Sequence, residues 1–302
     1  MRGVAVLLAA ALLALPARAE EWPASYPEGP VWIDGTLYWA EMGADRVMAW
    51  EGAGEPRVFF RQEGCGPTAL ARYREAELLV LCHRAGTLVR TDAEGRPLGT
   101  IREDAAGNRL RDPNDASADG HGGVWFTDPG IFSARAPAEG AIYHLGPDGT
   151  LTRHVTGLAY GNGIHVDSKG GRLLVSEHMA RRVLSYPLRN GTLGAPEVLI
   201  DFAALGIAPP AYPEAGPDGL EIAPDGTLWV AEYGAGRLHG WREGEGLVAT
   251  LPVPAPFVTN IAFGPDGLAA ITAPIVNDRP PYPGRVWVMP ADRLTMPGAF
   301  GP

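Results

Sequence analysis

The chain has two cysteines among 302 residues, and its seven histidines fall in neither H-x-H nor H-E-x-x-H spacing. A zinc centre of the Cys/His type therefore has no ligand set to build on. Basic residues are also scarce: 25 Lys and Arg face 35 Asp and Glu, for a net charge of −10. No basic patch offsets that deficit, which argues against nucleic acid or an anionic membrane as partner. Sustained helical periodicity is missing from the chain beyond its first twenty residues. One long apolar run exists, Val4 to Leu15, preceded by Arg2 and followed by Ala17-Arg18-Ala19. It is too short for a membrane span and reads as a signal peptide over residues 1–19, which implies a periplasmic or secreted protein. Removing Arg2 and Arg18 from the 25 leaves 23 basic against 35 acidic residues, a net charge of −12 on residues 20–302.

What the chain has in quantity is turn formers and short apolar stretches. Gly and Pro number 40 and 29, and 46% of residues are apolar, enough for many short strands around a large core. The stretches recur as a unit. Its most regular part reads "LYWAE" (from Leu37), "LLVLC" (Leu78), "VWFTD" (Val124), "LLVSE" (Leu173), "LWVAE" (Leu228) and a degenerate "LAAIT" (Leu268). Each follows an opening apolar stretch across a tight turn such as Pro224-Asp225-Gly226-Thr227. Each precedes a third stretch: "RVMAW", "TLVRT", "AIYHL", "RVLSY", "RLHGW" and "RVWVM". Units return roughly every 40–55 residues, the spacing of four-stranded propeller blades. The expected fold is all-β, a six-bladed β-propeller forming a single domain over residues 20–302.

Four units open with an oxygen-bearing side chain at the same phase: Glu28 in "PEGPVW", Asn114 in "DPNDAS", Asn162 in "YGNGIHV" and Asp218 in "GPDGLEI". Asp beside Gly is usually a turn signal, and Asp148, Asp225 and Asp266 fit that reading. Asp218 does not, because its hairpin turn comes later, at Asp225-Gly226. If the units are blades, these four positions face one another across the channel mouth. Two carboxylates and two amide oxygens make a site of formal charge −2 that suits a hard cation, Ca2+ foremost. An open position on the metal would polarise a carbonyl or phosphoryl oxygen while a neighbouring carboxylate attacks or activates water.

The cysteines lie at adjoining strand ends of one unit, Cys65 before its opening and Cys82 at the close of "LLVLC". In an oxidising compartment they are expected to pair, contributing on the order of 3 kcal/mol. Glu41, Glu177 and Glu232 each precede an arginine by five residues (Arg46, Arg182 and Arg237), a spacing that predicts hairpin-closing ion pairs. His83, His165 and His178 stand near strand ends of the presumed mouth, where one could shuttle protons. Two Pro-rich segments, 203–216 and 274–284, are expected to shape a rim or lid.

The strings "PEGPVW", "DPNDASADGHGGVWFTDPG", "GNGIHVDSKGGRLLVSE" and "GPDGLEIAPDGTLWVAE" resemble, in order, the motifs of the SMP-30/gluconolactonase/LRE-like family. That resemblance spans the chain after its leader. It implies a six-bladed propeller with a divalent cation at the channel mouth, usually Ca2+, with Zn2+, Mn2+ and Mg2+ as alternatives. It implies Glu28, Asn162 and Asp218 as metal ligands, Asn114 as a ligand or substrate-orienting residue, and Asp218 as nucleophile or general base. Asp112 stands where animal sugar lactonases of the family place an arginine against the sugar. The expected function is metal-dependent hydrolysis of a small lactone. Organophosphate-type ester hydrolysis and non-catalytic binding of a ligand or protein are the alternatives.

Overall fold

The computed structural model describes residues 20–296 and 298–300. The expected signal peptide, residues 1–19, lies outside them. Strands form six antiparallel sheets, and in the first five the chain runs from inner strand to outer strand in sequence order. The inner strands are Pro27–Ile33, Pro67–Tyr73, Ala116–Ala118, Gly161–Asp167, Gly216–Ile222 and Asn260–Phe263. Each packs beside the next, and the last beside the first, so they ring one axis. The second strands observed (Thr36–Glu41, Glu77–Cys82, Val124–Asp128, Arg172–Glu177, Leu228–Tyr233 and Leu268–Pro274) contain every stretch on which the repeat was recognised.

Blade six is assembled from both ends of the chain. Its three later strands come from Asn260–Phe263, Leu268–Pro274 and Pro283–Pro290, and its outer strand is Glu20–Ser25. That strand pairs antiparallel with Pro283–Pro290, from Glu20 opposite Val288 to Ser25 opposite Pro283. Trp22, from the closing strand, stacks on Trp39 and tilts against Trp50 of blade one. The closure thus covers a sheet edge that would otherwise be open to pairing and buries large aromatic area at the seam.

The second strands are apolar along their whole length because neighbouring blades cover both faces. Six buried clusters lie at the six junctions between consecutive blades. One such cluster joins Leu37, Trp39, Ala270 and Val286, and another joins Leu174, Val183, Leu220 and Val230. Each fully buried Leu, Val or Ile adds about 1.5–3 kcal/mol. The core is therefore a ring of interfaces around a channel, and the inner strands that line the channel are free to carry polar groups.

Cys65 and Cys82 form a disulfide with Cα atoms 4.5 Å apart, both fully buried. The three ion pairs are present as well, with Arg46, Arg182 and Arg237 at 2.8, 2.5 and 2.9 Å from Glu41, Glu177 and Glu232.

Candidate metal and catalytic site

The inner strands share a deformation that the sequence pattern alone does not reveal. Their pairing with the second strand slips between Glu28 and Val31, between Gly161 and Ile164, and between Pro217 and Leu220. Asn162 and Asp218 sit on the unpaired residues of these bulges, and Glu28 is the last paired residue before one. A bulge re-aims side chains, and here it does so at one height in three blades. Blade two slips between Pro67 and Ala69, leaving Thr68 at the corresponding place. In blade three Asn114 is held by its N–H to the Thr127 carbonyl oxygen at 2.8 Å.

Each bulge residue in blades one, four and five is followed by glycine, and the glycine serves close approach between blades. A Cβ on Gly29 would lie 2.9 Å from Ala69 Cα; on Gly163 it would lie 2.8 Å from Gly219 Cα and 3.0 Å from the Asp218 carbonyl carbon; on Gly219 it would overlap the Asn260 amide. Buried hydroxyls lock the same ring. Ser176 accepts from Gly163 N–H and donates to the Asp218 carbonyl, both at 2.7 Å. Thr127 donates to the Asn162 carbonyl at 2.6 Å, and Thr259 to the Pro27 carbonyl at 2.9 Å.

In blades one, three and four the acid that closes the second strand supports this ring from outside. Glu41 accepts from Ser25 N–H, Glu177 from Ala159 N–H, and Asp128 from the N–H groups of Arg111 and Asp112. These are the backbone segments that lead into Glu28, Asn162 and Asn114. The Glu–Arg pairs therefore anchor the approach to the site as well as closing hairpins.

Asn114, Asn162 and Asp218 are 8%, 4% and 5% exposed, and Glu28 keeps partial exposure at the mouth. Burial, then the charges of Asp218 and Asp115, push the Glu28 carboxyl well above its usual range. Burial and the Asp115 charge do the same to Asp218, against hydrogen bonds from Gly219 N–H and the Asn162 amide. Among the described residues, no arginine or lysine pairs with either carboxylate. Asn162 gives its amide N–H to Asp218 and faces His178 Nδ1 at 3.4 Å, while His178 Nε2 donates to the Glu214 carbonyl at 2.8 Å. With its nitrogen so engaged, Asn162 Oδ1 is left buried without a hydrogen-bond partner. Asn162 and Asp218 are thus neighbours, and the Glu28 carboxylate is within electrostatic reach of Asp218. Asn114 shares their ring position, and its amide makes no hydrogen bond among the described residues.

Asp115 was not recognised from sequence, where it passed as part of "PND". Its Oδ2 accepts from Ile164 N–H in blade four at 3.1 Å and from the Asn260 amide in blade six at 3.4 Å. It therefore plugs the channel axis beneath the two carboxylates, and burial raises its carboxyl to about 6. Beyond it, towards the hairpin end of the inner strands, lies a cavity of about 380 Å3 lined by His165 and Glu221 among others. This corrects the expectation for His165, which lies further along the inner strand than Asn162 and so faces that opposite end rather than the mouth. His83 is near Asp112 and Asp128, and His178 orients Asn162. Among the described residues no three His, Cys, Asp or Glu side chains group as a metal cluster, so any cation here needs the amide oxygens.

The two Pro-rich loops meet above the site. Asn277, from 274–284, donates to Tyr212 of 203–216 at 3.1 Å and to Tyr233 at 2.8 Å, and Tyr233 in turn bonds Tyr26 at 2.8 Å.

The family model described as the SMP-30/gluconolactonase/LRE-like region matches residues 26–272. The chain belongs to that family. Among its relatives, the pentonolactonase XacC of Haloferax volcanii is 27% identical, over 78% of this chain and 77% of that one. The diisopropyl-fluorophosphatase of Loligo vulgaris is 28% identical over 54% of this chain and 53% of its own. A solved structure, XC5397 from Xanthomonas campestris, described as a gluconolactonase, superposes with a TM-score of 0.72 at 25% identity, covering 94% and 93% of the two chains. For this SMP-30-family chain the homologues support a hydrolase, and the fold is the six-bladed propeller read from the repeat.

Proposed function

We propose that the protein is a divalent-cation-dependent lactonase, with Glu28, Asn162 and Asp218 holding the cation and Asn114 completing the set or orienting substrate. The observation that carries this reading is the orphaned Asn162 Oδ1, buried beside two carboxylates that no cationic side chain neutralises. Leaving such groups uncompensated is costly, and a hard cation compensates all three at once. When bound, the cation supplies a Lewis acid at the mouth, Ca2+ being favoured by the all-oxygen donors; relatives named regucalcin support a divalent metal. Asp218, set beside the Asn162 amide, is the reacting carboxylate. It takes a proton from water as the hydroxyl adds to the lactone carbonyl carbon. The ring C–O bond then breaks, the proton passes to the departing oxygen, and a hydroxy acid leaves. The Loligo vulgaris relative favours a second reading, in which the same carboxylate attacks the phosphorus of an organophosphate ester, the leaving group departs, and water then cleaves the acyl phosphate. The N-terminal leader and the disulfide together support an exported protein.

The test is hydrolysis of a lactone panel with and without chelator, alongside Asp218→Asn and Glu28→Gln. Asp218→Asn should lose at least about a hundredfold in turnover while keeping weakened Ca2+ binding. Glu28→Gln should weaken Ca2+ first and recover partly at excess metal. Chelator-insensitive turnover, or Asp218→Asn near wild type at saturating Ca2+, would refute the assignment; no turnover on any lactone would favour a binding protein.

A further inference from the structure

Two residues at the mouth adopt a backbone conformation that their side chains disfavour. Tyr26 and Tyr160 have φ of +48° and +61°, the left-handed region where aromatic residues are rare and where strain usually marks function. They occupy one repeat position, two residues before Glu28 and two before Asn162. The backbone proves the equivalence: Met42 N–H donates to the Tyr26 carbonyl and His178 N–H to the Tyr160 carbonyl. In blade two, His83 N–H donates in the same way to Gly66, whose φ is +51°. The turn asks for glycine, and blades one and four put a phenol there instead.

Both rings border the candidate ligands: Tyr160 packs against His178, whose Nδ1 meets the Asn162 amide, and Tyr26 bonds Tyr233, which packs against the same imidazole. Phe132 packs edge-on against Tyr160 with centroids 5.0 Å apart and against Tyr233, the partner of Tyr26, at 5.8 Å. Tyr233 continues to Phe257 at 5.0 Å. Phe132 and its neighbour Ile131 remain 38% and 56% exposed. The hydroxyls of Tyr26 and Tyr233 bond each other, and the Asn277 amide bonds Tyr212 and Tyr233. What the wall presents is mainly ring surface. The acid Asp112 also acts on Tyr160.

Resting on the lactonase reading, we propose that Tyr26 and Tyr160 are specificity-determining residues and that the mouth takes a flat, apolar or aromatic lactone in preference to a polyhydroxylated aldonolactone. A sugar lactone would have to leave several hydroxyls unpaired against aromatic rings, a penalty that discriminates strongly. A benzo-fused or alkyl-substituted lactone would stack on Tyr160 and Phe132 with its carbonyl turned to the carboxylates.

The experiment compares kcat/KM for 3,4-dihydrocoumarin and for glucono-δ-lactone, with Ca2+ supplied, in the wild type, Tyr160→Phe and Tyr160→Gly. The wild type should favour the aromatic lactone at least about tenfold. Tyr160→Phe should keep that ratio, because the ring face remains. Tyr160→Gly, which suits the backbone, should lose it by about tenfold or more. The proposal is overturned if the wild type prefers the sugar lactone, if Tyr160→Gly lowers both substrates equally, or if Tyr160→Phe behaves as Tyr160→Gly does. Preference for the sugar lactone would leave the lactonase reading standing, whereas hydrolysis of neither substrate, nor of any other lactone, would overturn both.

Discussion

The substitution Gly163→Ala tests the central claim that the site is built by inner strands pressed together. Gly163 has an ordinary φ, so added stiffness is not the issue; space is. The new methyl would stand 2.8 Å from Gly219 Cα and 3.0 Å from the Asp218 carbonyl carbon, where 3.4 Å is the ordinary lower limit. Blades four and five would have to part by about 0.6 Å at the Cα alone, the difference between 3.4 and 2.8. The obstructing atoms are backbone and cannot rotate away. The parting would also stretch the Gly163–Ser176–Asp218 relay, whose two hydrogen bonds are each 2.7 Å. Overpacking costs about 1–3 kcal/mol, and a backbone obstruction belongs at the upper end. At about 2–4 °C per kcal/mol for a chain of this size, the Tm should fall by roughly 6–12 °C. Because Asp218 and Asn162 are displaced together, Ca2+ affinity should fall about 10–100-fold, as it does when groups that orient ligands are removed. The assay is thermal unfolding and calorimetric Ca2+ titration. Gly99→Ala is the control, because its methyl would meet one atom, at 3.8 Å, and Gly99 has no positive φ. If Gly163→Ala matched Gly99→Ala in both measurements, close inter-blade approach would not be what positions Asp218.

Three further outcomes are expected. Glu177→Gln should cost about 1–3 kcal/mol in chemical unfolding, since Arg182 loses its partner, and should weaken Ca2+ binding because the Ala159 anchor loosens. The double variant Cys65→Ala, Cys82→Ala opens a crosslink between residues 17 apart and should lose about 3 kcal/mol; thiol titration of the unreduced wild type under denaturant should find none free. Burial lowers His165 to about 4 from 6.5, against the opposing charge of Asp167. The unfolded chain therefore binds the proton first, and stability present above pH 6.5 is lost as the pH falls towards 4, by about 2–3 kcal/mol. The gap between wild type and His165→Gln in urea unfolding should narrow by that amount over this window, and a gap independent of pH would disprove the burial of a neutral imidazole.

The sequence by itself determined the repeat, and with it the fold. Strands covered on both faces must be apolar throughout, so "LWVAE" and its five counterparts are legible without any knowledge of partners. Glu28, Asn162 and Asp218 were legible for a related reason: a polar residue at a constant phase ahead of such a stretch interrupts the pattern where a channel begins. The Glu–Arg pairs and the disulfide follow from strand adjacency within one blade. Contacts between blades were not legible, because they depend on how far each sheet turns about the axis. Only the tertiary structure decided that Glu20–Ser25 would leave the N-terminus to complete blade six, that Asp115 would cross the channel to Asn260, and that His165 would point away from the mouth. The same holds for the glycines at 29, 163 and 219. The sequence assigned them no role, but each is there because the next blade's inner strand leaves no room for a Cβ. Tyr26 and Tyr160 carried no signal in the sequence; their positive φ and their shared turn with Gly66 set them apart. Periodicity reports which face of a strand is buried; it carries no record of what stands across an axis, and the chemistry of this mouth is made there.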